Sequence, residues 1–65
     1  MCQAKVFLEK KGSLEVIMAD VTEVEETSDG LRISAFFEPP RIIPKARIMK
    51  IDFLSHTVTL AAPEE

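Results

Sequence analysis

Apolar and polar residues alternate along most of the chain, and this period of two is typical of half-buried β-strands. The alternation is clearest in five segments, at residues 4–8, 14–18, 31–37, 49–53 and 58–62. It predicts that Phe37 shares a face with Leu31, and that Phe53 shares a face with Met49 and Ile51. The segments are separated by turn-forming residues, so the chain is predicted to be built from short strands joined by tight turns.

The alternation fails once, after Asp20, because Val21 and Val24 are three residues apart. A β-bulge or bend near Asp20 would return both valines to one face. A helix over residues 21–26 is the alternative, and the β-branched residues there disfavour it.

Turn chemistry supports these boundaries. Asp29 and Gly30 form the dipeptide most typical of a tight hairpin, and Gly12 suits the turn after the first strand. The Pro39-Pro40 pair ends the third strand, since proline cannot donate to a ladder. We expect residues 41–44 to be irregular or to form an edge strand.

The predicted fold is therefore all-β: a small five- to seven-stranded antiparallel barrel, SH3-like or Sm-like, with residues 1–65 as a single domain. A chain of 65 residues buries too little surface to be comfortably stable alone. Its one cysteine cannot form an intrachain disulfide, so a partner chain or a metal is the remaining source of stabilisation. The chain carries no apolar run long enough to span a membrane and no export signal, which indicates the cytoplasm.

The net charge is −3, which disfavours nonspecific binding to nucleic acid. One stretch is nevertheless free of acids and carries four cations: Arg41, Lys45, Arg47 and Lys50. These residues are the candidates for a small RNA-binding module, with Phe36 or Phe37 as a stacking platform. A solvated surface explains the same cations more simply.

No enzyme active site is predicted. The chain has only two glycines, so it has no phosphate-binding loop. Its single histidine, His56, is expected to be a turn residue with a left-handed backbone rather than a base or a ligand. The acids around Glu23 and Glu25 are expected to lie on a solvated strand face.

Cys2 is the one residue whose position suggests chemistry. Removal of Met1 would place a free α-amine on the residue that carries the thiol, and the two groups together would chelate a metal in a five-membered ring. In a symmetric homodimer, two such residues would supply two nitrogens and two sulfurs, a donor set that suits Ni(II) or Cu(II) in a flat geometry. Cys2 can also be interpreted as a small terminal residue, or as a site of oxidation.

The opening "MCQAKVFL" resembles that of the CooT family, whose members begin Met-Cys-x-Ala-Lys-Val. The similarity continues through "IMADVTEVE", "DGLRIS" and "IMKIDFLSHTVTL", and so covers nearly the whole chain. This resemblance implies a homodimeric β-barrel that binds Ni(II) as a metallochaperone for carbon monoxide dehydrogenase. It also implies that Cys2, the only site residue that we transfer, carries the metal.

Members of the family are also labelled predicted RNA-binding proteins, so RNA stays an alternative partner beside a nickel enzyme or its maturation machinery. A third alternative is a protein-interaction module that uses an exposed strand edge after Pro39-Pro40.

Overall fold

The computed structural model describes residues 4–63, and these residues form one six-stranded sheet without a helix. The strands, in chain order, are β1 (Ala4–Lys10), β2 (Ser13–Thr27), β3 (Gly30–Ala35), β4 (Arg41–Ile43), β5 (Arg47–Asp52) and β6 (Thr57–Ala61). Their order across the sheet is β4-β3-β2-β1-β6-β5. The all-β prediction is confirmed. The described part contains no helix that could cross a membrane.

Two details of the predicted barrel differ from the structure. The sheet does not close, since β4 and β5 lie at its two edges. The pairing of β1 with β6 is parallel, whereas every other pair is antiparallel. The alternation of residues shows that a strand exists but not which strand lies beside it, so neither difference could be derived from the pattern.

The long strand β2 pairs with β1 through its first half and with β3 through its second half. Between the halves, Asp20 adopts a left-handed backbone with φ of 55°, and register shifts occur on both sides of it. Each shift inserts an extra residue, so Met18, Val21 and Val24 all reach the core although they are three residues apart. The predicted bend near Asp20 is confirmed, and the helical alternative is wrong.

The core lies on the concave face of this bent sheet. Its buried members come from β1, β2, β3 and β6: Val6, Met18, Val21, Leu31, Ile33, Val58 and Leu60. No buried residue of the described core comes from β5.

Two tight turns connect β1 to β2 and β2 to β3. Lys11 and Gly12, both with positive φ, join β1 to β2, as the sequence predicted. At the second turn, Gly30 has φ of 137° and packs against the backbone of β4. A Cβ atom at this position would overlap the Ile43 carbonyl oxygen and would lie 2.7 Å from the Cα of Pro44.

Gly30→Ala should therefore lower the free energy of unfolding by more than about 1 kcal/mol, because the added Cβ clashes with backbone and the φ is unfavourable. Gly12→Ala is the matched control: its φ is also positive, but its Cβ would have no atom within 4 Å. Urea unfolding of both variants should show the larger loss for Gly30→Ala. An equal loss of unfolding free energy in the two variants would show that the close approach of Gly30 to β4 does not contribute to stability.

Candidate functional site

The start of β1 is held by strands on both sides. Ala4 lies opposite Val21 of β2, and Val21 in turn lies opposite Ala35 at the end of β3. On the other side, the backbone N–H of Lys5 donates to the carbonyl oxygen of His56 at 3.1 Å. The strand that leads from Cys2 is therefore fixed in position from Ala4 onward, while Cys2 itself lies outside the described residues.

His56 belongs to the turn between β5 and β6, and the structure brings this turn beside the N-terminal strand. Its φ of 58° confirms the predicted left-handed turn residue. His56 is 54 positions from Cys2 in the sequence. The Lys5 hydrogen bond places the backbone of His56 next to a residue only three positions from Cys2. The parallel β1–β6 pairing, which no sequence signal predicted, causes this proximity.

Asp52 organises this turn. Its Oδ1 atom accepts hydrogen bonds from the backbone N–H groups of Leu54 at 3.0 Å and Ser55 at 3.1 Å. The hydroxyls of Ser55 and Thr57 form a further hydrogen bond of 3.0 Å. The Ser55 backbone N–H, followed by smaller contributions that include Lys50, lowers the pKa of Asp52 because these groups stabilise the carboxylate.

Exposed apolar side chains follow the two strands that lie two places from β1 on either side, at the end of the sheet where β1 starts. On the β3 side they follow Ala35, and on the β5 side they follow Asp52; together they form what we call the apolar rim: Phe36, Phe37, Phe53 and Leu54. Phe53 is 82% exposed and Leu54 is 95% exposed. The rings of Phe36 and Phe37 contact each other, with centroids 5.9 Å apart. The Phe36 N–H donates to the Asp20 carbonyl oxygen at 3.2 Å, which ties this side of the rim to the bend in β2.

The rim corrects two sequence predictions. Phe37 is exposed and does not share the buried face of Leu31, and Met49, Ile51 and Phe53 do not form one face because a bulge in β5 puts Ile51 on the face of Ile48. Both phenylalanines lie beyond the ends of their strands, where the alternation no longer fixes the direction of a side chain. Both residues therefore add to the exposed apolar surface and not to the core.

The four cations proposed for RNA do not share one environment. Arg41 donates from Nη1 to the Ile17 carbonyl oxygen at 2.9 Å, so it satisfies an edge carbonyl of β2. Lys45 lies in the β4–β5 turn, in a groove that Glu26 and Asp29 also line. The other two cations, Arg47 and Lys50, lie on β5. The arrangement does not favour a continuous phosphate-binding track, and the RNA hypothesis stays a prediction.

The acids of β2 do not form a catalytic group. Arg32 on β3 binds Glu25 at 2.7 Å and Glu23 at 3.2 Å, and it also donates to the Ser34 hydroxyl. These ion pairs raise the pKa of Arg32, chiefly through the hydrogen bond with Glu25. Within residues 4–63, no three His, Cys, Asp or Glu side chains come together as a metal site.

A family model and a solved structure both match this chain. The model of the CooT family, described as CO dehydrogenase accessory protein CooT, matches residues 1–61. The crystal structure of a putative CooT from Carboxydothermus hydrogenoformans superposes with a TM-score of 0.86. It is 24% identical in sequence, and the match covers 97% of this chain and 100% of that one. No curated protein matches the chain significantly.

The Asp52 carboxylate should stabilise the fold in a pH-dependent manner. Because its pKa is lowered in the folded state, the stabilisation is present above the unfolded pKa and is lost as the pH falls through the folded pKa, below the ordinary value of 3.8. Urea unfolding of the wild type and Asp52→Asn should differ at neutral pH, with the wild type more stable. The difference should shrink in acid below that value. A difference that is the same at both pH values would contradict the role of the charge.

Proposed function

Because the chain belongs to the CooT family of CO dehydrogenase accessory proteins, we propose that it binds nickel and acts as a Ni(II) metallochaperone. The recipient would be a nickel enzyme such as carbon monoxide dehydrogenase. An accessory protein is not itself the catalyst, as the sequence predicted. The metal would be held by Cys2 of two chains at a homodimer interface. The observation that carries this proposal is the apolar rim, at the end of the sheet where β1 starts two residues after Cys2.

The donor chemistry of Cys2 suits this role. A thiolate and an α-amine on one residue form a chelate, provided that Met1 has been removed. One chain then supplies one sulfur and one nitrogen, and two chains complete a four-donor set of the kind that Ni(II) accepts in a flat geometry. Both donors must lose protons to bind, so nickel affinity should increase with pH. The ion is cargo in this scheme, and a small number of donors near the surface is compatible with its later release.

The apolar rim supports a shared site because a single cysteine does not bring two chains together. Exposed apolar side chains can do so by packing against a second copy. Phe53 and Leu54 expose nearly all of their side-chain surface in one chain. Burying them against a second copy would be favourable by about 25 cal/mol per Å² of apolar surface. A two-fold axis near the rim would also bring the two N-termini together.

Nickel titration of the processed protein should produce charge-transfer absorption that saturates at one ion per two chains. Cys2→Ser should abolish this absorption, because the thiolate is its source. His56→Asn is the matched control, since asparagine tolerates the left-handed turn and removes the single imidazole of the chain. The control should retain the absorption. Binding that survives Cys2→Ser, or that disappears in His56→Asn, would contradict a site built from Cys2 alone.

Leu54→Asp should weaken nickel binding at least about tenfold, because it places a charge within the rim contact. It should leave the unfolding free energy nearly unchanged, since Leu54 is exposed within one chain. Leu14→Asp is the control: Leu14 is also exposed, but it lies at the opposite end of the β1–β2 hairpin. Sedimentation of the nickel-loaded proteins should show a dimer for Leu14→Asp and predominantly a monomer for Leu54→Asp. Equal behaviour of the two variants would exclude the rim as the contact.

A further inference from the structure

The outer edge of β5 is an open edge of the sheet. β5 is six residues long, and its second side has no hydrogen-bonded neighbour within residues 4–63. The other edge is better protected, because β4 has only three residues and the Arg41 side chain folds back onto Ile17. An unpaired edge of this length presents N–H and C=O groups that an additional strand can pair with.

A bulge in β5 gives this edge an apolar side. The pairing with β6 shifts between Ile48 and Lys50, so Ile48 lies opposite Leu60 and Ile51 lies opposite Val58. Opposite residues of an antiparallel pair share a face, so both isoleucines point to the face that carries the core. Leu60 and Val58 are buried, whereas Ile48 is 44% exposed and Ile51 is 47% exposed. The core is therefore covered at β6 and uncovered at β5.

The same edge is positively charged. β5 carries Arg47 and Lys50, and Arg47 borders a groove that Lys10 and Lys11 also line. Glu9 is the one acid lining this groove in the described part of the chain. None of the four cations makes an ion pair within 4.0 Å among residues 4–63, where Arg32 accounts for the ion pairs observed. An occupant with acidic side chains would match this surface.

A second copy of the chain matches the edge poorly. Its own β5 has a single acid, Asp52, and the Oδ1 of that carboxylate already accepts two backbone hydrogen bonds in the turn. Antiparallel pairing of two β5 strands could place Asp52 near Arg47 of the other copy. It would bring no acid from β5 to Lys50, Lys10 or Lys11. A strand richer in acids than β5 is required.

We propose that the β5 edge binds an extended acidic segment of a partner protein by strand addition. Apolar side chains of that segment would cover Ile48 and Ile51, and its carboxylates would face Arg47, Lys50 and the two lysines of the groove. Main-chain hydrogen bonds would hold the segment, and the charges would select it over neutral or basic strands. The proposed contacts use neither Cys2 nor nickel, so a metal-loaded protein could hold a partner here while the rim remains occupied.

The test uses a blocked peptide of alternating glutamate and valine, as long as β5, beside a peptide in which lysine replaces glutamate. With the acidic peptide, amide hydrogen exchange of β5 should slow, and NMR shift changes should be confined to β5 and the Lys10–Gly12 region. The basic peptide should bind at least about tenfold more weakly. The measurement is made without nickel, so its outcome is independent of the metal site.

A second experiment reverses the charges of the β5 edge. Arg47→Glu with Lys50→Glu should exchange the preference, so that the basic peptide binds more tightly than the acidic one. Lys5→Glu with Arg41→Glu changes the net charge equally at positions on β1 and β4, away from β5, and should keep the original preference. Urea unfolding of both double variants establishes that they fold.

Three results would overturn the proposal. The first is that neither peptide binds the wild type. The second is that both peptides bind equally. The third is that the β5 amides are already protected without peptide, to a degree that rises with protein concentration, which would assign the edge to a second copy.

Discussion

The bend in β2 at Asp20 is the constraint on which the rest of the structure depends. A straight strand of this length could not pair with β1 and β3 and also fold over a single core. The left-handed Asp20 and the neighbouring register shifts turn the strand and return Met18, Val21 and Val24 to one face. The same bend places Val21 between Ala4 and Ala35, so it also determines where the N-terminal strand begins.

A single bent sheet of this size covers only part of its apolar surface, and the uncovered part is not spread evenly. Most of the exposed large apolar side chains belong to the apolar rim or to β5, while Leu14, Val16 and Ile42 lie elsewhere in the described part of the chain. The four rim residues are uncharged, which suits the proposed contact between identical copies around a shared metal. The β5 edge has several cations, which suits a different, acidic partner. In this proposed arrangement, one surface would hold the metal and a different surface would bind the protein that receives it.

Much of the fold follows from local sequence signals. The spacing of Val21 and Val24 required a bulge, Asp29-Gly30 required a hairpin, and Pro39-Pro40 ended a strand; each is found where the sequence placed it. The orientation of β5 did not follow, because a bulge puts Ile48 and Ile51 on one face where strict alternation would pair Met49 with Ile51. Such a bulge depends on the neighbouring strand and has no local signature.

The candidate site was predictable only in part. The position of Cys2 after the initiator methionine, together with the resemblance to CooT, was enough to nominate it. The neighbours of the described start of β1 were not predictable, because pairings between distant parts of the chain bring Val21 and His56 beside it. The parallel pairing of β1 with β6 is the decisive example, since it brings the His56 turn beside Lys5.

X-ray absorption spectroscopy of the nickel-loaded protein tests the central claim most directly, because it identifies the donor atoms themselves. A site shared by two Cys2 residues predicts equal numbers of sulfur and nitrogen donors around nickel, with no imidazole scattering. A first shell of oxygen and imidazole nitrogen without sulfur would contradict the account.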